Sequence, residues 1–600
     1  MSRRARVTRP ARRRMTHGRT RATRPVSLGH APPAARWWIG ALVAAVLVGP
    51  AHPTTAQTSV VRLATAPAAL ASTDTLDAAA ARLDRLRPLP DSSEYAARML
   101  RAGPRLPLAA LAPSPRDALD EATGSGSQGV EGTQEQDDVW RDAWGQPKNF
   151  GLAAVGTLAA NIIPWAFNEL VPFRQELRIS QISPRSWQRG VHRGWQWDDN
   201  QFQVNFFSHP FQGNMYYNAA RSNGYGFWTG LGFATAGSFM WECCGETHLM
   251  SLNDWAMTSI GGAALGEALY RTTSMILDNQ ATGGNRVFRE IAAGLLNPER
   301  GFTRLVTGNT MRVYENPEDR ADRDPEDLEL RVSSGVRWGN SARSSDYGQI
   351  DDDLPAHGFI EMDLFYGTLR GLHRQKPFDF FRMGAQVNFI KGRALGEIRI
   401  RGNLWHTDLS QPASGVRKLV LMHDFGYINN PIYERGGTGP SLMYYREYDA
   451  NERNRLSWNL LGTWTLLGGV NALPAKILAE IEGARERARE YDFGIGPGAA
   501  AGFFWARDGR QVVNVTYDVR YWKTVNGSNG YGFDSHHTTQ ALRLRGYVPI
   551  PFQNLSLGVD YELFVRDSYY EFADIGNVHQ RAPILKVFAS WNPSRGDWFE

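Results

Sequence analysis

Between residues 200 and 310, ionisable and amide side chains crowd a stretch that is otherwise apolar. The candidates for chemistry are His209, Asn218, Arg221, Ser222, Asn223, Glu242, Glu246, Asn253, Asp254, Glu267, Arg271, Arg289 and Glu290. One chemistry is nucleophilic hydrolysis of envelope lipid, with His209 as base, Ser222 as nucleophile and an acid orienting the imidazole. No Gly-x-Ser-x-Gly elbow surrounds Ser222, however, and a separation of thirteen residues from His209 says nothing about distance in space. The competing reading is a buried network of ion pairs and caps, with Glu267 and Arg271 one helical turn apart as its natural pair. We take the network reading and assign no catalytic residue. Gly262 and Gly266, four apart, leave room for two helices to meet backbone to backbone.

No metal or cofactor site is expected. His536 and His537 point to opposite faces of a strand and cannot chelate together. Asp351–Asp353 lacks the spacing of a calcium loop and reads as a solvated acidic turn. Two cysteines in 600 residues, Cys243 and Cys244, exclude a disulfide framework and any Cys-rich metal site. Neighbours in sequence also bridge only with strain. No Gly-rich phosphate loop is present.

The elements that position these residues change character along the chain. Gly151–Phe173, Gly226–Trp241 and Ser251–Leu277 read as apolar helices rich in small residues. Ser251–Asp254 (SLND) supplies N-cap chemistry for the last. Asn161, Pro164, Asn168 and Glu169 interrupt the first, which argues for packing on protein rather than crossing a membrane alone.

From Leu328 onward the pattern is period 2. In Leu555–Arg566, Leu555, Leu557, Val559, Tyr561, Leu563 and Val565 oppose Ser556, Asp560, Glu562 and Arg566. The same alternation marks 328–338, 360–366, 397–405, 456–466, 513–521, 542–545 and 585–591, with weaker strands at 379–390, 418–427, 440–448 and 493–506. A further strand is expected at 197–207. A soluble sandwich or lipocalin-like barrel turns such an apolar face inward, whereas a membrane barrel turns it outward and keeps ions such as Arg399, Arg401, Asp518 and Arg520 inside. Long, numerous strands favour the membrane barrel, as do aromatics near strand ends (Trp338, Tyr366, Trp405, Trp522, Trp591). Pro474–Glu490 reads as a helix in a loop outside the membrane.

The net charge of +5 belongs to the N-terminus. Residues 1–36 hold eleven Arg and no acid, so +5 less eleven leaves −6 for the rest, which removes the argument for nucleic-acid binding. Trp37–Val48 (WWIGALVAAVLV) has the length of a signal-peptide core, with Ala51 and Ala56 as cleavage sites and Met15 as a second possible start. A transit peptide or basic single-pass anchor is the alternative. Asp74–Arg87 reads as a short amphipathic helix, and Gly124–Asp138 as a solvated acidic linker.

Several motifs in the polar block carry a family resemblance. His209–Gly213 (HPFQG), Tyr216–Trp228 (YYNAARSNGYGFW), Trp241-Glu242, Ser251–Asp254, Ile260–Arg271 (IGGAALGEALYR) and Arg289–Arg304 (REIAAGLLNPERGFTR) resemble the bacterial domain of unknown function 3943 over about residues 200–310. The resemblance implies an exported envelope protein of Gram-negative-type bacteria, with no activity or catalytic residue to carry over.

The expected architecture is mainly β: an antiparallel outer-membrane-type barrel of about 12 strands with a helical insertion. Residues 1–56 form the signal and its leader, 57–145 a disordered tail, 146–195 an apolar helix and connection, 196–310 a first strand plus helical insert, and 311–600 the barrel strands. The expected location is the outer membrane, with the periplasm as alternative. The expected partner is membrane lipid, with no nucleic acid. The helices act as plug or scaffold of a non-enzymatic envelope component, or else as a membrane-embedded lipid hydrolase.

Overall fold

Alternating polar and apolar residues give each strand of the second half one apolar and one ionic face, and closing such a sheet decides which face sees the surroundings. The computed structural model describes residues 148–170, 180–198, 200–316, 328–345, 348–373, 375–391, 393–409, 415–451, 453–471, 491–525, 535–551, 554–570 and 577–593. The signal-like segment, the Asp74–Arg87 helix, the acidic linker and the Pro474–Glu490 helix of the sequence reading lie outside these residues.

Twelve antiparallel strands close into a barrel: β1 (Leu328–Ser345), β2 (Gly348–Tyr366), β3 (Phe381–Asn388), β4 (Leu395–Asp408), β5 (Gly415–Asn429), β6 (Glu434–Asn451), β7 (Asn454–Asn471), β8 (Tyr491–Arg507), β9 (Arg510–Thr524), β10 (Ser535–Pro549), β11 (Leu555–Tyr570) and β12 (Val578–Trp591). Each pairs with its sequence neighbours, and β1 meets β12 to complete the ring, Val336 opposite Val587. Eleven strands are 14–19 residues long and β3 has eight. A tilted strand needs only about 9–11 residues to cross a bilayer, so the barrel is tall enough to span one. Where β1 begins and β12 ends, the β6–β7 and β8–β9 turns are only two residues each. There Arg453 and Asp508 pair at 2.7 Å across two hairpins, a contact that holds the Asp508 carboxyl below the usual carboxylate range.

The apolar face points outward. Leu557, Val559 and Tyr561 of β11 are exposed, while Asp560, Glu562 and Arg566 are buried in the lumen. Ion pairs cross the interior between strands that are not neighbours. Arg545 of β10 makes a bidentate bond to Glu361 of β2 (2.7 and 3.0 Å). Arg543 reaches Glu397 of β4 (2.8 Å), Arg435 of β6 reaches Asp518 of β9 (2.6 Å), and Arg520 reaches Asp424 of β5 (3.0 Å). Where β1 begins and β12 ends, Leu369, Leu372 and Phe380 pack with Val420, Met422 and Leu461 across the inside. A cavity of about 250 Å³ remains in the lumen, lined by residues such as Arg382, Arg399 and Asp518.

The helices precede the barrel in the chain. They are α1 (Phe150–Leu170), α2 (Pro184–Arg193), α3 (His209–Arg221), α4 (Phe227–Met240), α5 (Leu252–Ala256), α6 (Gly262–Ile276), α7 (Gly283–Leu296) and α8 (Pro298–Val306). Three π-helical turns lengthen these helices: Val204–Ser208 leads into α3, Trp241–Gly245 continues α4, and Met257–Gly261 joins α5 to α6. This bundle lies on the outer wall of the barrel. Phe206 packs over Gly436 and Gly469, whose added Cβ atoms would lie 2.6 and 2.5 Å from its ring. Gly261 faces Phe425, and Arg271 stands over the Tyr366 ring. By strand register all these barrel residues belong to the outward rows.

Several expectations are corrected here. Residues 197–207 form no strand: a helical run begins at Phe202 and passes through the first π-turn. Phe202 and Phe206, four apart, stack on each other at 4.4 Å and both meet Tyr491, a contact that helical spacing permits as readily as alternation suggested a strand. The helical block is therefore not an insertion between strands, and the lumen is crossed by ion pairs rather than filled by a helical plug. Trp522 belongs to the inward row with Asp518 and Arg520 and is buried, and Tyr366 lies beneath the helices, so neither joins an aromatic girdle; Trp338 and Trp405 are exposed on the outer wall. Asp351–Asp353 runs in β2 opposite Asn340–Ala342 rather than in a turn. His536 and His537 do face opposite ways, His537 bonding Ser568 in the lumen while His536 stacks on Tyr569.

Candidate functional site

The polar block folds into two buried clusters at different heights along the bundle. The first gathers where the three π-turns meet, and such turns re-aim side chains that a regular helix would direct elsewhere. Asn205 lies in the first π-turn and His209 opens α3 directly after it. Glu242 lies in the second, and Asp254 of α5 just precedes the third. The His209 Nε2 is 3.4 Å from Asp254 Oδ1, and Thr258 Oγ1 holds the other ring nitrogen at 3.3 Å. His209, Glu242 and Asp254 each place one donor atom within 4.8 Å of the others. The Ser251 backbone N–H donates to Glu242 Oε2 (2.8 Å). Asn253 accepts from the Asp198 N–H (2.9 Å) and donates to Asp254 (2.7 Å).

Asp198 and Glu246 bring further negative charge within electrostatic reach of Glu242 and Asp254. Among the described residues, neither Glu242, Glu246 nor Asp254 is paired with a Lys or Arg. Burying carboxylates together without a counter-charge is costly. The Asn205 amide eases part of that cost. With its nitrogen toward the acids it donates to Asp254 Oδ1 (2.8 Å) and Asp198 Oδ2 (3.2 Å). Its far side contacts the hydroxyl of Tyr491, which joins this cluster to β8 of the barrel.

The second cluster lies between α3 and α6. Glu267 accepts from Arg221 Nε (2.7 Å) and Nη2 (3.0 Å), from Arg271 Nε (2.8 Å) and from the Tyr217 hydroxyl (2.7 Å). Arg271 continues to Asp379 (3.1 Å) and the Pro377 carbonyl (2.7 Å) before β3. The i,i+4 pair read from the sequence is present, extended into a network that ties bundle to barrel. Asn218 donates to the Gly266 carbonyl (3.1 Å) and Asn223 to that of Ala219 (2.8 Å), so both serve the backbone. Gly262 and Gly266 are the close-contact points expected: a Cβ on Gly262 would lie 2.6 Å from the Gly213 Cα, and one on Gly266 would lie 2.6 Å from the Tyr217 ring.

Ser222 does not meet His209. It caps the far end of α3, thirteen residues on and roughly 20 Å away at 1.5 Å per residue. The hydrolase constellation is not assembled. Ser251 does occupy the N-cap position of α5 but makes no side-chain cap bond. Cys243 and Cys244, neighbours in sequence, are bridged to each other within the second π-turn. Asp198, Asn205 and Tyr491 were missed. Asp198 and Asn205 fell in the segment read as a strand, and Asn205 and Tyr491 are 286 residues apart.

Residues 194–299 match the family described as domain of unknown function (DUF3943), overlapping the block where the motifs pointed. Comparison with curated proteins finds no match. Among solved structures, a FadL homologue of Pseudomonas aeruginosa is 9% identical over 46% of this chain and 93% of its own, with a TM-score of 0.19. The toluene transporter TodX of Pseudomonas putida is 7% identical over 44% and 89%, with a TM-score of 0.19. The outer membrane protease OmpT from Escherichia coli is 11% identical over 45% and 97%, with a TM-score of 0.15. The barrel assignment rests on the strand register given above.

Proposed function

We propose that this chain is an outer-membrane barrel whose lipid-facing surface includes the helical bundle, and that it serves as a non-enzymatic envelope scaffold. The observation that carries the reading is the reversed polarity of the outermost helices. On α7, Arg286 and Arg289 point inward while Val287, Ile291 and Leu295 are 58%, 56% and 53% exposed. On α8, Glu299, Arg300 and Arg304 are buried and Leu305 and Val306 are exposed. A surface helix in water has the opposite arrangement. The buried arginines have internal partners: Arg300 donates to the Tyr270 carbonyl of α6 (2.7 Å), and Arg304 pairs with Glu290 (2.7 Å). On α1, likewise, Thr157, Asn161 and Asn168 face the bundle while Phe150, Leu158, Ile162, Ile163 and Phe167 face out.

Length supports the same reading. α1 has 21 residues, and the runs 202–221, 227–245 and 252–276 have 19–25. At 1.5 Å per residue these are about 28–38 Å long, near the ~30 Å hydrocarbon thickness. The apolar surface of the bundle continues the outward row of the barrel, where Leu544, Val559 and Val587 are also exposed.

Two measurements test this. Cell fractionation should place the chain in the outer membrane and resistant to high-salt extraction, because apolar burial is not screened as charge pairing is. Recovery from the soluble periplasm contradicts the reading. Ile291→Lys should destabilise the chain reconstituted in lipid by about 2–3 kcal/mol, as a charge set against hydrocarbon does. An unchanged or raised stability means that α7 faces water.

A further inference from the structure

We propose that His209 Nε2 and the carboxylates of Glu242 and Asp254 bind a divalent first-row cation that fastens the helical bundle to the barrel wall. The geometry suits such an ion. Two ligand atoms about 2.0–2.1 Å from a tetrahedral zinc lie about 3.4 Å apart, the separation seen between His209 Nε2 and Asp254 Oδ1. The imidazole is held by Thr258 on the nitrogen that does not face the acids, the second-shell contact that fixes a metal-binding tautomer. Glu242 brings its donor atom from a different turn, so the three ligands converge from separate segments rather than lying along one strip.

A second observation points into the same space. The Ser251 hydroxyl is buried in the same space and turns toward the Asp254 carboxylate. A hydroxyl set against a ligating carboxylate is the kind of outer contact that orients it toward a bound ion. The charge balance agrees: Glu242, Glu246 and Asp254 share a buried region without a Lys or Arg partner among the described residues. A divalent ion offsets two of those charges. One imidazole with carboxylates favours Zn²⁺, Mn²⁺ or Fe²⁺ over Ca²⁺, which takes six to eight oxygens, and over thiophilic Cu⁺. Tyr491 reaches the site through Asn205, so an ion there holds α3, α4, α5 and β8 in one arrangement.

The test uses the full chain in detergent, stripped with chelator and titrated with Co²⁺ or Zn²⁺. Wild type should bind one equivalent, with a visible Co²⁺ absorption and a thermal midpoint raised by several degrees at saturating Zn²⁺, as about 100-fold excess over Kd gives roughly 2.7 kcal/mol. Asp254→Asn and Glu242→Gln should each lose both signals, whereas His579→Ala, at an exposed His–Asp pair on β12, should keep them. In the stripped state the sign reverses: Glu242→Gln removes a repelling charge and should match or exceed the wild-type midpoint, which also shows that it folds. Failure of wild type to bind a stoichiometric ion overturns the proposal. So does equal binding by the Asp254 and Glu242 variants, or binding lost only with His579.

Discussion

Glu267→Ala should loosen the helical bundle from the barrel, at a cost of about 3–5 kcal/mol, the range for removing one partner of a buried ion pair. Glu267 is wholly buried and accepts four hydrogen bonds, three of them from two guanidinium groups. Truncation leaves Arg221 and Arg271 buried with excess positive charge in a low-dielectric setting. Arg221 keeps the Tyr225 carbonyl and the Tyr270 ring, and Arg271 keeps Asp379 and the Pro377 carbonyl, so the loss is partial. Limited trypsin digestion in detergent reads the outcome directly. The variant should be cut between α3 and α4 at protease levels that wild type resists, while the barrel stays intact. Glu267→Gln preserves shape and one acceptor and should lie between the two. Wild-type protection in Glu267→Ala would show that the network contributes no net stability.

Gly262→Leu should be comparably damaging for a steric reason. A Cβ there meets the Gly213 Cα at 2.6 Å and its carbonyl carbon at 2.7 Å, and backbone cannot swing aside as a flexible side chain can. Helices α3 and α6 must separate, with overpacking costs of about 1–3 kcal/mol or more and the loss of the Asn218 to Gly266 bond between them. Gly232 on α4 is the control, because nothing lies within 4 Å of its added Cβ. Gly232→Ala should be neutral or stabilising by up to about 1 kcal/mol, since alanine is the better helix former. Thermal unfolding of the three proteins in one detergent compares them. Equal midpoints for Gly262→Leu and wild type would exclude close α3–α6 contact.

The barrel was legible because its physics is local. In β11, Leu557, Val559 and Tyr561 share one face and Asp560, Glu562 and Arg566 the other, whatever the rest of the chain does. A strand with period 2 offers only two choices of face, and the closed sheet of this chain turns the ionic one to the lumen. The ion pair of Glu267 with Arg271 was legible for the same reason, since four residues along a helix is one turn. The short apolar run at 202–206 was not, because Phe202 and Phe206 satisfy both a strand and a helix and only their contact with Tyr491 settles it.

Polarity of the helices is the clearest case of what tertiary structure alone decided. An apolar helix such as α1 reads the same whether its apolar face turns toward a core or away from it, and only packing shows Asn161 bonded to Tyr216 inside while Ile162 and Ile163 face out. Strand pairing likewise decided that the bundle precedes β1 and lies outside the wall, since β1 closes on β12 and no periodicity encodes that partner. The His209, Glu242 and Asp254 cluster required folding most of all. The residue types stand in the sequence, but three π-turns and a tyrosine from β8 bring them to one point. Side-chain pattern is a property of neighbours along the chain, whereas a site is a property of neighbours in space.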